Sequence, residues 1–174
     1  MQLSLKDKKN ERFLFYAQSY TFSAIRLLET MGKKSGIVTK PFHFNVKKED
    51  VVLPSMFLMS HGIELYLKIF YSRVFQKNPD SKHGILILNE MKKSDKKLLM
   101  PLTPYMKTIK KLLSLYEKMR YPYDKKFNAV ILEFNKFLTN WNSKKQNIYL
   151  SEFTSIRNLL NEILEELAIA EKDR

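Results

Sequence analysis

Residues 55–70 read SMFLMSHGIELYLKIF, an apolar run that only a few polar side chains interrupt. Pro54 suits the first turn of a helix, so the run predicts a helix from about residue 54 to Phe75. Because this helix is apolar on almost every side, other elements must surround it. The run therefore predicts the central, most buried helix of the protein.

Four further segments place apolar residues at spacings of three and four, which is the pattern of an amphipathic helix. They cover about residues 11–31, 83–93, 103–119 and 151–171. Thr103 followed by Pro104 predicts the start of the third of these helices, and Ser151 is the predicted cap of the last.

The connecting segments are rich in turn-forming and basic residues. Residues 33–50 predict a long loop, and residues 78–80 (NPD) and 121–124 (YPYD) predict breaks. Residues 127–141 contain the run AVILEF, which fits either a helix or a strand. No repeat, low-complexity tract or break in composition divides the chain. The sequence thus predicts an all-α fold, a single bundle of five or six helices over residues 1–174.

The composition excludes several kinds of site. The 174 residues include no cysteine, which excludes disulfides, thiol nucleophiles, iron–sulfur clusters and Cys-based zinc sites. The three histidines come from separate segments and no glycine-rich phosphate motif is present, so we expect neither a metal nor a cofactor. The chain does not start like a secretory signal, and no uncharged stretch has the roughly 18 residues of a membrane span. We expect a cytoplasmic protein with no membrane contact.

The net charge is +13 and is unevenly distributed. Residues 1–145 carry +16, whereas residues 146–174 carry −3. A basic body predicts a polyanionic partner, with RNA or another nucleic acid first. The alternative is a compositional excess of lysine, since 25 Lys accompany only 6 Arg and lysines bind phosphate only as point charges. The candidate nucleic-acid contacts are Lys107, Lys111, Lys118 and Arg157.

One narrow sector of the predicted central helix carries four polar residues, here called the polar stripe: His61, Glu64, Lys68 and Ser72. Glu64 and Lys68 have the i, i+4 spacing of an ion pair. Buried polar groups need partners, so the stripe is either a structural lock, satisfied by Arg26 or Arg120, or the floor of a binding or reactive groove. In the second case the candidate catalytic residues are His61, Glu64, Lys68 and Arg120, with the carboxylate orienting the imidazole as a general base requires.

The same segment resembles the HEPN family of small helical-bundle proteins. Members of that family carry an H-x-[IV]-E-L-x-L-K-like stretch, matched here by His61, Glu64 and Lys68, and then a G-H-D-L-x-x-L-like helix start, matched by KHGILIL at residues 82–88. Gly84 stands where the family commonly has Asp. Residues 119–122 (MRYP) also resemble an R-Y-P element of some relatives. The resemblance is specific over residues 55–90 and implies a HEPN-like bundle.

HEPN ribonucleases place an R-x4-6-H motif, often beginning Arg-Asn, on a late helix, where Arg stabilises phosphate charge and His transfers a proton. Here Arg157-Asn158 supplies the start of the motif, but the window for the histidine holds Glu162, Ile163 and Leu164. The resemblance therefore implies a member without ordinary HEPN catalysis. In the alternative interpretation, Arg157 is simply an exposed helix residue.

Three functions remain open. The first is a HEPN-like protein that binds nucleic acid or a partner protein in a bacterial stress, phage-defence or toxin–antitoxin setting, with a nucleotidyltransferase antitoxin as one such partner. The second is a divergent RNA-cleaving toxin that uses the polar stripe. The third is a scaffold whose acidic last helix packs against a basic neighbour or a second copy. HEPN domains commonly pair, so the resemblance also implies a homodimer, and the apolar seam from Phe153 to Ala170 needs a surface to bury against.

Overall fold

The structure is a computed structural model that describes residues 5–32, 48–79, 82–94, 96–119 and 139–172. Within these ranges every regular element is helical, and turns and irregular segments connect the helices. The described elements are five α-helices and one 3-10 segment: α1 (Leu5–Gly32), α2 (Lys48–Phe75), α3 (Gly84–Ser94), the 3-10 segment (Met100–Tyr105), α4 (Met106–Met119) and α5 (Ser143–Lys172). The all-α prediction is confirmed for the described residues. The predicted break at 121–124 and most of the ambiguous segment 127–141 lie outside them.

Helix α2 is the centre of the structure, as its sequence predicts. It contacts α1, α3, α4 and α5. Its side chains supply several of the largest fully buried residues, among them Met59, Tyr66 and Phe70. The most extensive packing is that of α1 against α2, and no described helix has the length and apolarity needed to cross a membrane.

Gly62 explains how closely α1 and α2 approach. A Cβ atom at this position would lie 2.5 Å from Cγ2 of Thr21 and 3.1 Å from the carbonyl oxygen of Ala17. Thr21 is fully buried, and its hydroxyl donates to that same carbonyl oxygen at 2.9 Å. The absence of a side chain at Gly62 therefore sets the distance between the two helices.

Helix α1 begins at Leu5, before the predicted start at about residue 11, and three further predicted helix starts are wrong. Helix α2 begins at Lys48, which places Pro54 inside the helix instead of in its first turn. The added turn buries Val51 and Val52, and this burial favours helix despite the backbone hydrogen bond that proline removes. The predicted loop 33–50 therefore ends earlier than expected, and residues 33–47 lie outside the described part.

The second error concerns Thr103 and Pro104, which belong to the 3-10 segment. That segment follows Leu99 and has no side-chain cap, and the α-helix begins only at Met106. Two prolines within six residues disfavour a regular α-helical ladder, because each lacks a backbone N–H.

The third error concerns the last helix, which starts at Ser143 and not at Ser151. Asn142 is its N-cap, since the side-chain Oδ1 accepts the backbone N–H of Lys145 at 2.9 Å. Ser151 is exposed in the helix interior. The seam that begins at Phe153 is buried against its own chain as far as Ile163, whereas Ala170 is exposed.

Candidate functional site

The polar stripe of α2 divides between two environments. Glu64 has 2% of its side chain exposed and Lys68 has 12%. Lys68 Nζ lies 3.0 Å from Glu64 Oε1, which confirms the predicted i, i+4 ion pair. Arg26, one of the two predicted partners of the polar stripe, does not contact it, because the Arg26 guanidinium is exposed and pairs with Glu29 at 2.7 Å. The alternative partner, Arg120, lies outside the described residues.

Helix α3 packs directly on Glu64. A Cβ atom at Gly84 would lie 3.5 Å from both Cβ and Cγ of Glu64, and 2.7 Å from Cδ2 of Leu113 on α4. No larger side chain fits at Gly84 without displacing one of these neighbours. An Asp at this position would also bring a second carboxylate against Glu64. The close contact at this position is therefore with the Leu113 side chain, while the distances to Glu64 are those of ordinary packing.

His61 faces a different neighbourhood, made of aromatic rings from three helices. Its ring centroid lies 4.8 Å from that of Tyr20 on α1, 5.0 Å from that of Tyr116 on α4 and 6.4 Å from that of Phe57. The Tyr116 hydroxyl and His61 Nδ1 form a hydrogen bond. His61 is half-buried, so the aromatic neighbours hold the ring while part of it stays accessible.

A cavity of about 640 Å³ opens beside His61, between α1 and α2. We call it the α1–α2 cavity. Its lining combines two cations, three aromatic rings, an imidazole and one aliphatic side chain: Lys9, Arg12, Phe13, Tyr16, Tyr20, His61 and Leu65. Its volume is within the roughly 300–1,000 Å³ typical of ligand sites. Glu64 and Lys68 are not among these lining residues.

The α1 side of the cavity follows from helical spacing. Arg12, Tyr16 and Tyr20 are four residues apart, so they lie one above another on the same face of α1. The rings of Tyr16 and Tyr20 are stacked, with centroids 6.0 Å apart and planes inclined by 21°. Tyr16 is 48% exposed. The cations lie toward the start of α1 and the rings extend from them toward His61.

The electrostatics of the α1–α2 cavity favour an anion. None of its described lining residues is acidic. Lys9 Nζ lies 3.5 Å from Asn78 Oδ1 and 5.6 Å from the centroid of the Phe13 ring, and Arg12 is exposed. Two cations beside the exposed Tyr16 ring suit a ligand with a phosphate and a flat base, since cations hold phosphates and tyrosine rings stack on bases.

The lysines selected from the sequence lie elsewhere. Lys107 and Lys111 are exposed on α4, and the side chain of Lys118 is outside the described part. Lys111 Nζ donates to the Tyr149 hydroxyl at 3.2 Å and lies 5.8 Å from the centre of that ring. Lys107 and Lys111 present positive charge on α4 and do not line the α1–α2 cavity.

Arg157 is half-buried, so the interpretation of it as an exposed residue is wrong. Its guanidinium lies 5.6 Å from the centroid of the Phe22 ring, which Arg26 also approaches at 5.0 Å. The Nε atom of Arg157 is buried and has no hydrogen-bond partner among the described residues. Helix α5 thus holds the Arg-Asn sequence against α1, and not in the cavity that contains His61.

Tyr66 lies close to Arg157 in the interior. Its hydroxyl donates to Asn161 Oδ1 on α5. Burial raises the pKa of Tyr66 to about 12, and the positive charge of Arg157 only partly opposes this effect. This tyrosine is therefore a neutral hydrogen-bond donor that joins α2 to α5.

The sequence prediction missed the α1 half of the cavity. The helical spacing of Phe13 and Tyr20 is typical of core positions, and the sequence shows no alternation of aromatic and basic residues of the kind a stacking sheet requires. The available signal was the pair Phe15-Tyr16, three and four residues after Arg12 on the same helix. Recognising the site required knowing that α1 packs beside His61.

The described residues contain no group of three or more His, Cys, Asp or Glu side chains that would hold a metal ion. Comparison with known proteins found no matching family model, no matching curated protein and no matching solved structure.

Proposed function

We propose that this chain is a HEPN-like helical-bundle protein that binds RNA in the α1–α2 cavity and lacks ordinary HEPN catalysis. The observation that carries the proposal is the pairing of Lys9 and Arg12 with the rings of Tyr16 and Tyr20 in one cavity. The HEPN-like part of the proposal comes from the residues of the sequence resemblance. An all-helical structure with α2 at its centre supports it.

Charge and stacking have separate roles in this proposal. The net charge of +13 draws RNA to the surface over the distance of a Debye length, and it does so without regard to sequence. Lys9 and Arg12 then hold backbone phosphates, and an unpaired base stacks on the exposed face of Tyr16. Because a duplex keeps its bases covered, the cavity favours single-stranded RNA.

The absence of ordinary HEPN catalysis rests on two observations. No histidine follows Arg157 within the spacing of the ribonuclease motif. The acid and the amine of the polar stripe pair with each other at 3.0 Å and do not line the cavity beside His61. General acid–base cleavage needs positioned groups within reach of the substrate. His61 therefore acts in this proposal as part of the ring wall.

The resemblance also places the protein in a biological setting. A bacterial stress, phage-defence or toxin–antitoxin role in the cytoplasm, beside a partner such as a nucleotidyltransferase antitoxin, is the setting that HEPN relatives imply. In such a system RNA binding is the activity that a partner controls.

The test is fluorescence anisotropy with a labelled single-stranded RNA at about 50 and 200 mM salt, between which counterion release weakens phosphate-based binding steeply. Replacing both Lys9 and Arg12 by Gln removes two phosphate contacts. The variant is expected to bind less tightly, and its slope of log affinity against log salt should be smaller by about 1.4. The pair Lys107→Gln and Lys111→Gln is the charge-matched control on α4, and a smaller effect is expected there.

The stacking part of the proposal has its own matched variants. Tyr16→Ala should weaken binding about tenfold, within the range of about 1–3 kcal/mol for a stacked base, while Tyr16→Phe keeps a ring and should bind nearly as well as the wild type. Phe22→Ala removes another exposed ring of α1, which does not line the cavity, and should have little effect. Binding that is absent at low salt, or indifferent to these cavity variants, would overturn the proposal.

Cleavage is measured in the same samples. Wild-type protein incubated with total RNA, with and without magnesium, is expected to leave the RNA intact over hours. His61→Ala should lower the melting temperature, because it removes the hydrogen bond between the Tyr116 hydroxyl and the imidazole, and should leave the RNA equally intact. Cleavage by the wild type that His61→Ala abolishes in a folded protein would instead establish the reactive-groove alternative.

A further inference from the structure

The last three turns of α5 carry a charged stripe that faces away from the bundle. We call it the acidic stripe; its members have the i, i+3, i+4, i+7 spacing of one helix face: Glu162, Glu165, Glu166 and Ile169. All four are exposed, and Ile169 is 61% exposed. The buried side of the helix, which includes Leu160 and Ile163, faces the opposite direction. The stripe therefore contributes nothing to the core of its own chain.

A cavity of about 370 Å³ on another part of the surface has the complementary character. Three lysines surround an apolar floor, with one threonine, and we call it the lysine-rimmed cavity: Lys92, Lys96, Lys97, Leu99, Met100, Thr103 and Met106. Met100 is 68% exposed, so its apolar surface is open to a partner at this cavity. None of the described residues that line this cavity is acidic.

We propose that the acidic stripe of one copy of this chain docks into the lysine-rimmed cavity of a second copy. Three carboxylates meet three ammonium groups, and Ile169 reaches the apolar floor beside Met100. This is helix-in-groove recognition, in which one helix face supplies both the apolar anchor and the charges around it.

The same two patches are suited to a symmetric pair. The 3-10 segment, which carries Met100 and Thr103, contacts α5 of the same chain, so the stripe and the cavity belong to neighbouring elements. A two-fold axis then lets each copy insert its stripe and receive one, which closes the assembly at a dimer. This inference is independent of the RNA proposal, because no residue of the α1–α2 cavity takes part.

Charge reversal tests it by sedimentation velocity over about 1–100 µM protein, the range in which micromolar association is visible. The wild type is expected to form a dimer that high salt weakens. The cavity reversal K92E/K96E/K97E and the stripe reversal E162K/E165K/E166K should each be monomeric, because like charges then face each other in both contacts. Mixed in equal amounts, the two variants should form a dimer, since both contacts are again between opposite charges.

Matched controls separate a specific contact from a change in net charge. K77E/K110E/K144E changes the charge as much as the cavity reversal does, at exposed lysines that do not line the cavity, and should remain dimeric. Ile169→Ala should weaken dimerisation about tenfold through lost apolar contact, whereas Ile148→Ala, exposed near the other end of α5, should not. Circular dichroism establishes whether each variant is folded. If a charge-reversal variant does not fold, the neutral variants K96Q/K97Q and E165Q/E166Q take its place.

Three results would overturn the proposal: a wild type that stays monomeric at about 100 µM and low salt, a dimer that survives both reversals, or a mixture that stays monomeric. Each would mean that the lysine-rimmed cavity does not hold the acidic stripe of a second copy. These results would leave the RNA-binding proposal untouched, because variants at Lys9, Arg12 and Tyr16 test that proposal.

Discussion

The contact between Gly62 and Thr21 gives the sharpest test of how α1 and α2 are held together. In an ordinary helix Gly→Ala stabilises by about 1 kcal/mol, because glycine loses more backbone freedom on folding. Here the added methyl would lie 2.5 Å from Thr21 Cγ2, 3.1 Å from the Ala17 carbonyl oxygen and 3.2 Å from the Thr21 backbone nitrogen. The last two neighbours are backbone atoms, so the helices themselves must move.

Overpacking of this kind costs about 1–3 kcal/mol. Because the gain in helix propensity offsets part of this cost, Gly62→Ala should lower the free energy of unfolding by about 1–2 kcal/mol. Thr21→Ser removes Cγ2 but keeps the hydroxyl that donates to Ala17 at 2.9 Å. The double variant should therefore lose less than the sum of the two single losses, with a coupling of about 1 kcal/mol.

The assay is urea denaturation followed by circular dichroism on the wild type, both single variants and the double variant. If the Gly62→Ala variant is as stable as the wild type or more stable, the close approach of the two helices is refuted. Strict additivity in the double variant would show that Thr21 Cγ2 is not the obstructing atom.

Three further predictions concern the interior and the helix ends. Lys68→Met should destabilise the protein by roughly 3 kcal/mol, since it removes the cation that pairs with the buried Glu64 carboxylate at 3.0 Å. Glu64→Gln in the same chain should restore much of the loss, as measured by urea denaturation. The pKa of Tyr66 is raised to about 12 in the folded protein. Its contribution to stability is therefore complete below the unfolded pKa near 10 and is lost as the pH rises toward 12, by up to about 3 kcal/mol. Tyr66→Phe should lose less stability than the wild type between pH 8 and pH 11, and an equal loss would contradict the raised pKa of Tyr66. Asn142→Ala should cost about 1 kcal/mol, whereas Ser151→Ala should be nearly neutral, and the reverse order of their melting temperatures would place the start of α5 at Ser151.

The part of the fold that the sequence predicts is the part set by local periodicity. Helix α2 is apolar all round and lies at the centre, and Glu64 and Lys68 pair because their separation along one helix brings them together. The ion pair depends on two residues one helical turn apart, and the central position of α2 depends on the composition of that one segment. Such features are visible before any tertiary contact is known.

The helix starts that were predicted wrongly depend on competition between signals. Pro54 indicates a helix start, but burial of Val51 and Val52 extends α2 before it. Ser151 and Asn142 are both acceptable caps, and only the contacts of the intervening residues decide between them. Gln146, for example, is buried, and its Nε2 donates to the Leu28 carbonyl oxygen of α1 at 2.8 Å.

The candidate site depends on contacts between distant segments. Tyr20 and His61 are far apart in the sequence, and their rings meet at 4.8 Å only because Gly62 lets α1 lie close to α2. No periodicity in either helix specifies that pairing. The lysines of α4 were more visible in the sequence because charge on an outward helix face needs no partner to be recognised.

Photo-crosslinking shows directly whether RNA binds in the α1–α2 cavity. A single-stranded RNA that carries photoreactive uridines is bound at low salt and irradiated, and the adducts are mapped by mass spectrometry. We expect adducts on Tyr16 or Tyr20, and their loss when Lys9 and Arg12 are both replaced by Gln. Adducts confined to α4 around Lys107 and Lys111, or adducts on α1 that survive the loss of both cations, would contradict RNA binding in this cavity.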